Sequence, residues 1–259
     1  NHRQQQAGNF QNQIFQMIEG ENLGSFWGYT FAGVWQEDDV NAPFIDANGQ
    51  TNGKTNGEVY KVKPGNSKYV DVNKDGVYND ADQGIIGCGQ PTFNWGWNNT
   101  FNYKNFDFSF FVVGFHGFDI YNATHQMGYN LIKSQQMAGV TPMRELLNRW
   151  TPTNTNTDIP GFVKGGTENK DFFSTRFVEN GSFIKMKSIT LGYTLPEATC
   201  RSLGINNLRV YASVQNPFHI TKYSGLDPEA TMGSPLVQGV DWGAYPNSRN
   251  YLIGLNFSF

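Results

Sequence analysis

Charge and cysteine are both scarce in this chain. Of its 259 residues only 16% are Asp, Glu, Lys or Arg, and the formal net charge is −3. This balance offers no basic surface to a nucleic-acid backbone, so we expect no nucleic-acid partner. The two cysteines, Cys88 and Cys200, lack the spacing of metal ligands. No run of about 18 apolar residues occurs, which excludes a transmembrane helix.

Catalytic signatures are missing as well. The sequence contains no G-x-S-x-G, no H-E-x-x-H and no glycine-rich phosphate loop. None of its four histidines has a partner at metal-ligand spacing. We therefore expect that the protein is not an enzyme and has no catalytic residues.

Aromatic residues and glycine are abundant instead. Phe, Trp and Tyr make up 15% of the chain, and Gly occurs 29 times. Apolar and polar residues alternate along several segments, which is the period of a β-strand. We predict six strands, at 27–35, 92–103, 106–118, 183–195, 208–219 and 250–259.

The two faces of these strands distinguish between two all-β folds. One face gathers Trp, Tyr and Phe near the strand ends, and the other carries Asn, Ser, Thr and Gly with few Lys or Glu. Lipid-facing strands of about 10 residues have such aromatic girdles and polar lumen sides. The pattern favours an antiparallel transmembrane β-barrel and places Trp95 and Trp97 in the girdle. The alternative is a secreted, calcium-stabilised β-sandwich that binds carbohydrate or mediates adhesion.

An acidic loop interrupts the aromatic sequence at 69–87. From Asp71 onward, its oxygen-bearing residues have the spacing of an EF-hand calcium loop, although no helix pattern flanks it. Gly76 stands where such loops turn sharply, and Asp82 replaces the usual final Glu. The spacing predicts a structural Ca²⁺ site, and a metal-free turn rich in Asn and Asp is the alternative. The predicted ligands are Asp71, Asn73, Asp75, the backbone carbonyl of Val77, Asn79 and Asp82.

Two further stretches combine aromatic rings with arginine. Rings stack on sugar faces, and guanidinium groups bind carboxylates, so both stretches are candidate contacts with cargo or with a partner protein. Packing within the loops is the alternative. The candidate residues are Arg149, Trp150, Asp241, Trp242, Tyr245 and Arg249.

The order of the motifs resembles the C-terminal part of the SusC/RagA family of TonB-dependent outer-membrane transporters of Bacteroidetes. The matching segments are collinear and cover most of the chain. They are GSFWGYTFAGVWQ (24–36), YVDVNKDGVYNDADQGIIG (69–87), PTFNWGWNNTFNYKNFDFSFFVVGFHGFDIYN (91–122), RWTPTNTNTDIP (149–160), RFVENGSFIKMKSITLGYTLP (176–196), LRVYASVQNPFHITKYSGLDPE (208–229) and YPNSRNYLIGLNFSF (245–259).

This resemblance implies a plugged barrel of about 22 strands. Residues 1–259 would be its C-terminal portion and would supply about six of those strands. The family's plug, N-terminal extension and TonB-contacting segment lie upstream and would be missing here. The implied function is part of an energy-coupled importer of the bacterial outer membrane that takes up glycans or oligopeptides. The implied partners are a SusD-like surface lipoprotein, the TonB complex acting through the missing N-terminal part, and the lipid bilayer.

The resemblance also places the C-terminus on the periplasmic side, and the alternation of strand direction then orients the rest. We expect short periplasmic turns and long extracellular loops, the latter at 36–91, 119–182 and 220–249. The acidic loop then lies outside the cell and would hold a long loop to the barrel rim. Cys88 and Cys200 fall on opposite sides of an apolar band of about 25 Å, too far apart for a disulfide.

Overall fold

The structure is a computed structural model that describes residues 3–5, 14–129, 143–162, 173–202, 204–231 and 238–258. Its strands are β1 Arg3–Gln5, β2 Gln16–Ile18, β3 Ser25–Tyr29, β4 Phe31–Val34, β5 Pro43–Ile45, β6 Thr51–Thr55, β7 Ser67–Tyr69, β8 Gln83–Cys88, β9 Phe93–Tyr103, β10 Phe106–His116, β11 Asp119–Asn122, β12 Val178–Asn180, β13 Phe183–Thr194, β14 Asn207–Thr221, β15 Val240–Asp241 and β16 Asn250–Ser258. Its α-helices are α1 Glu37–Asn41, α2 Asn56–Tyr60, α3 Ala123–Tyr129 and α4 Glu197–Ser202. Short 3₁₀-helices span Asp80–Asp82, Arg144–Asn148, Thr175–Phe177 and Pro228–Thr231. Within these ranges, none of the helices has the length and apolar character needed to span a membrane.

The main sheet is antiparallel and has five strands in the order β16-β14-β13-β10-β9. A tight turn joins β9 to β10, with Lys104 in the left-handed region at φ 52°. The hairpin is in register from Tyr103 opposite Phe106 to Phe93 opposite His116. Strands β9 and β16 are the two edges, so the described part of the chain forms an open segment of a barrel wall.

One side of the main sheet, here called the outer face, is continuous and apolar across all five strands. Residues opposite each other in the register share a face, and most pairs along this side match the period predicted from the sequence. The exceptions are Asn99, which lies opposite Phe110, and Met186, which a bulge in β13 places opposite Val112. Trp95 lies over Gly114, where an added Cβ would approach the indole within 2.3 Å. The outer face includes Phe93, Trp95, Trp97, Phe101, Tyr103, Phe106, Phe108, Phe110, Val112, Tyr193, Leu191, Ile189, Val210, Ala212, Val214, Tyr251, Ile253, Leu255 and Phe257.

Exposure of the outer face separates the two candidate folds. Ile253 is 81% exposed, Tyr251 72% and Trp97 55%. A β-sandwich would bury such a face against a second sheet, whereas a barrel presents it to lipid. The arrangement is that of a transmembrane barrel segment and gives no support to the sandwich.

The opposite side, here called the inner face, is polar along most of its length. Arg209 of β14 forms a forked ion pair with Asp107 of β10, and its Nε lies 2.8 Å from Oδ1. The hydroxyl groups of Thr190 and Ser213 are 2.8 Å apart on adjacent strands. Such polar cross-strand pairs suit a water-filled or plugged lumen.

Connections at the two ends of the sheet differ in length. The β9–β10 turn lies at one end, together with the β13–β14 link that contains α4. The opposite end, here called the loop end, carries the connections 117–182 and 222–249 and the segment before β9. Here the inner face becomes apolar, and Phe183 packs with Phe118, Ile120 and Tyr223 in a buried cluster beneath the loops.

The prediction of a barrel strand over 27–35 is wrong. Instead, strand β3 pairs with β8 and strand β4 pairs with β7, each in a separate two-stranded sheet outside the main sheet. Trp27, Tyr29 and Trp35 are buried, at 8%, 4% and 3% exposure, in a local aromatic core. The alternation of apolar and polar residues shows only that one side of a strand is apolar. Here that side contacts protein rather than lipid. Among the residues that the structure describes, the main sheet therefore has five strands instead of about six.

Both cysteines are free, as expected. Cys88 is partly buried at the end of β8, and Cys200 is buried in α4. Their positions at opposite ends of the main sheet account for the absence of a bond between them.

Candidate functional site

Residues 71–82, the part of the acidic loop that carries the predicted ligands, close a small subdomain. This subdomain, residues 25–88, contains β3–β8, α1 and α2. Gly76 adopts φ +81°, and an added Cβ there would come within 2.2 Å of Val59 Cγ1. Only glycine fits both the backbone and the space, which is the role expected for it at the sharp turn. The rings of Tyr60 and Tyr78 stack at 5.2 Å beneath the loop.

Two carboxylates anchor the loop from inside. Asp82 is 3% exposed, and its oxygens accept the backbone N–H groups of Val72 at 2.8 Å and Asn79 at 2.9 Å. Asp71 accepts the Tyr60 hydroxyl and the Gly76 N–H through Oδ2, both at 2.8 Å. Its second oxygen, Oδ1, is buried and has no hydrogen-bond donor among the described residues.

The exposed half of the loop is held by Asn and Asp side chains. Asn73 Nδ2 donates to Asp75 Oδ2 at 2.9 Å, and Asn79 Nδ2 donates to the same oxygen at 3.1 Å. These bonds, the Asn73 bond first, hold the pKa of Asp75 below its usual range. Asn79 also donates to the Val77 carbonyl at 3.2 Å. All six predicted ligands lie in one loop. Internal hydrogen bonds link five of them, and Asp71 bonds to Tyr60 and Gly76 instead.

The described residues contain no cluster of three or more His, Cys, Asp or Glu arranged to hold a metal. The donor set of the acidic loop is different, because Asn amides and a backbone carbonyl complete it. Carboxylate, amide and carbonyl oxygens are the ligands that Ca²⁺ takes. The chemistry of the donors and the buried Asp71 Oδ1 fit such a cation, whose presence stays a prediction.

Tyrosine phenols beneath the loop stay neutral. Burial raises the pKa of Tyr78 to about 12. Burial also raises the pKa of Tyr60, and its hydrogen bond to Asp71 raises it further. A neutral Tyr60 can donate to Asp71 at any physiological pH, so it fixes the carboxylate that faces inward.

A second cluster ties the 222–249 connection to the inner face. Lys185 of β13 is buried, and its Nζ lies 2.8 Å from Asp227 Oδ2 and 2.7 Å from Glu229 Oε2. Lys187, at a β-bulge in the same strand, also pairs with Glu229. Asn247 donates to both carboxylates, from its backbone to Asp227 at 3.1 Å and from its side chain to Glu229 at 3.0 Å.

The lysines set the charge state of this cluster. Burial is the largest single influence and raises the pKa values of Asp227 and Glu229. The hydrogen bonds and charge of Lys185, with those of Lys187 at Glu229 and the backbone N–H donors at Asp227, together outweigh burial and lower both pKa values. Both carboxylates are therefore ionised at neutral pH. Sequence reasoning missed the cluster because its members are about 40 residues apart and no local spacing links them.

The predicted contact residues divide into supporting and exposed groups. Asp241 is 6% exposed and accepts the Tyr223 hydroxyl and the Ala244 N–H, so its carboxylate supports the loop. Trp150 donates to Gln36 at 2.9 Å, and Arg149 lies 4.7 Å from the Phe162 ring.

The remaining three residues, Trp242, Tyr245 and Arg249, are exposed on the segment that leads into β16. Tyr245 is the most open of them, at 89% exposure. They lie on the loop-end side of the sheet, where a ligand or partner could reach them. Contact with cargo or partner stays a prediction for this group.

A cavity of about 270 Å³ with a mixed aromatic and polar lining lies between α3 and two 3₁₀-helices at the loop end. Sequence reasoning missed it too, because its lining comes from four separate stretches of the chain. The lining residues are His125, Tyr129, Glu145, Asn148, Asp158, Ile159, Arg176 and Phe177.

Comparison with known sequences shows that the chain is similar to part of longer proteins. No model of a known protein family matches it. It is 35% identical to TonB-dependent receptor P3 of Formosa agariphila, covering 93% of this chain and 22% of that receptor. It is 32% identical to TonB-dependent receptor SusC of Bacteroides thetaiotaomicron, covering 76% of this chain and 18% of SusC.

A solved structure gives the same picture of the fold. The RagAB peptide transporter superimposes with a TM-score of 0.68 and 24% identity, over 95% of this chain and 24% of that one. The chain thus spans less than a quarter of the length of these relatives. Its open sheet corresponds to part of a barrel.

Proposed function

Because the chain belongs to the SusC/RagA family of TonB-dependent receptors, we propose that it forms barrel wall and loops of an outer-membrane importer for glycans or oligopeptides. The observation that carries the proposal is the outer face, which is apolar across five strands and exposed. In water such a face would promote aggregation, whereas in a bilayer it would contact hydrocarbon. The open edges β9 and β16 would pair with further strands of the same barrel, because lipid does not tolerate unpaired edges.

The proposed partners follow from the two ends of the sheet. The loop end would face outward and meet a SusD-like surface lipoprotein, with Trp242, Tyr245 and Arg249 available for contact with it or with cargo. The TonB complex would act on the plug domain of the whole transporter. We assign no catalytic role to any residue, since the relatives are receptors and a transporter.

Uptake by the intact protein tests this function. Deleting the gene in its host is expected to abolish growth on the cargo glycan or peptide and to be rescued by the full-length gene. In fractionated cells, the protein should appear in the outer membrane and need detergent for extraction. Recovery in the aqueous phase without detergent, or unchanged uptake of every cargo after deletion, contradicts the proposal.

We further propose that the acidic loop binds Ca²⁺ as a structural ion of the 25–88 subdomain. Two observations support this assignment: the spacing of the oxygen ligands, and the buried Asp71 Oδ1, which accepts no hydrogen bond from the described residues. The cation would compensate that oxygen and replace the contacts of Asn73 and Asn79 with Asp75. Because Asp71 also binds Tyr60, the ion would be linked to the aromatic core through one side chain.

Terbium luminescence measures this site directly. Tb³⁺ added to the calcium-depleted, full-length protein is expected to be sensitised by Tyr60 and Tyr78 and to be displaced by Ca²⁺. At a hundredfold excess over its Kd, a bound ion adds about 2.7 kcal/mol to the stability of the state that binds it. EGTA should therefore increase proteolysis within 25–88.

Two variants control the terbium experiment. Asp71→Asn should lose the luminescence and the effect of EGTA, because the inward ligand loses its charge. Asp46→Asn, in the exposed turn after β5, should keep both. Equal luminescence in wild type and Asp71→Asn rules out calcium at this loop.

A further inference from the structure

The cavity between α3 and the two 3₁₀-helices has a mixed wall of aromatic and polar groups. Phe177 is buried and belongs to the core cluster that also contains Tyr121 and Phe26. Tyr129 packs against the same cluster, and the His125 and Tyr129 rings meet edge to face at 5.9 Å. This core gives the cavity a rigid apolar floor.

Arg176 lies among three aromatic rings at one side of the floor. Its guanidinium carbon lies 5.0 Å from the Tyr129 ring centroid, 5.2 Å from that of Phe177 and 5.4 Å from that of Phe31. Cation–π contacts of this kind fix the plane of a guanidinium group. The Arg176 guanidinium therefore lines the cavity as a cation beside an aromatic surface.

Other lining residues supply acceptors. Glu145 and Asp158 are exposed, and neither forms a hydrogen bond or ion pair with another residue in the described ranges. Tyr129 stays a neutral phenol, since burial and the nearby Glu145 raise its pKa. Asn148 and His125 add further polar groups. The wall thus presents donors and acceptors together.

We infer that this cavity binds one pyranose ring of a neutral saccharide. A sugar ring has an apolar C–H face that packs on Tyr129 and a rim of hydroxyls that both donate and accept. The volume of about 270 Å³ lies at the small end for a ligand site, which suits a single ring at the end or side of a longer chain. This inference rests on the proposed importer function and names its substrate class.

Charge disfavours an anionic ligand. Two carboxylates against one guanidinium give the lining a net negative charge, which opposes a sulfated or uronic sugar. A neutral polyol needs no counter-charge and can exchange hydrogen bonds with Glu145, Asp158, Asn148 and His125. An amine-bearing peptide is the competing ligand, and the experiment includes it.

The probe is an array of neutral, sulfated and uronic oligosaccharides of two to six residues, together with short amine-bearing peptides, applied to the full-length transporter in detergent. We expect neutral glycans to bind. Tyr129→Phe and Asp158→Asn keep side-chain shape and should each weaken the best neutral glycan by about three- to tenfold. The matched control Asp46→Asn lies outside the cavity and should bind as wild type does.

The outcomes separate this inference from the proposed function. Loss of glycan binding in both cavity variants, with wild-type amounts of protein in the outer membrane, supports the site. Unchanged glycan binding in both variants, or binding of amine-bearing peptides instead, overturns it. If uptake of the cargo persists in those cases, the importer function stands without this site. If no cargo is taken up by the wild type, the importer function itself fails.

Discussion

Replacing Lys185 with methionine is expected to free the 222–249 connection from the main sheet, at a cost of about 3–5 kcal/mol. The side chains of Lys185 and Asp227 are each only 3% exposed, so water cannot replace the lost partner. Glu229 keeps Lys187, but Asp227 would keep only backbone N–H donors from Glu229 and Asn247. An ionised carboxylate would then be buried without a cation.

Hydrogen exchange in the full-length protein measures this effect. Amides in 224–231 and 240–249 of Lys185→Met should exchange roughly a hundredfold to several thousandfold faster than in wild type, while amides of the main sheet stay protected. The double variant Lys185→Met with Asp227→Asn should recover part of the protection, because the unpaired charge is gone. Unchanged exchange in the single variant means that the cluster does not hold the connection.

The Arg201–Glu197 pair provides a matched control. It joins the same kinds of charged group in α4, but its side chains are 75% and 73% exposed. Exposed pairs at this helical spacing contribute about 0.3–0.5 kcal/mol or less. Arg201→Gln should therefore leave exchange and thermal unfolding almost unchanged, so that any large effect of Lys185→Met reflects burial.

Strand alternation predicted the main sheet well, because its physical cause is local. A side chain on a strand faces one of two environments, and the sheet keeps those environments separate over its whole width. Pairs such as Phe108 with Phe101 and Leu191 with Ala212 therefore meet as the parity of each strand requires. The tight β9–β10 turn also follows from the short link between two alternating segments.

The same reasoning failed at 27–35 and could not reach the Lys185 cluster. Buried Trp27 and Trp35 show the same alternation as lipid-facing rings, since both environments are apolar. The bulge that brings Lys187 beside Lys185 depends on how β13 pairs with β14, and Asp227 lies 42 residues further on. Contacts of this kind follow from tertiary pairing, which a single sequence does not encode in its local pattern. The acidic loop is the opposite case, because all its predicted ligands are neighbours.

Ile253→Arg is expected to destabilise the protein by about 2–4 kcal/mol in a bilayer. Ile253 lies in the middle of β16, opposite Ala212, and is 81% exposed on the outer face. A guanidinium at that depth would replace an alkyl group in contact with hydrocarbon. The same change on a water-facing strand would fall within about 0.5 kcal/mol, as most exposed substitutions do. Unfolding by urea in lipid vesicles, followed by heat-modifiable gel migration, measures the difference.

Tyr245→Arg is the matched control for this substitution. Tyr245 is 89% exposed, slightly more than Ile253, but it lies on the loop segment before β16 and outside the main sheet. If the outer face meets lipid, the two variants will differ by several kcal/mol in their free energy of unfolding, although the two positions are about equally exposed. The reason is that arginine at 253 would meet hydrocarbon, whereas arginine at 245 would meet water. If both variants stay within about 0.5 kcal/mol of wild type, the outer face meets water and the barrel assignment falls.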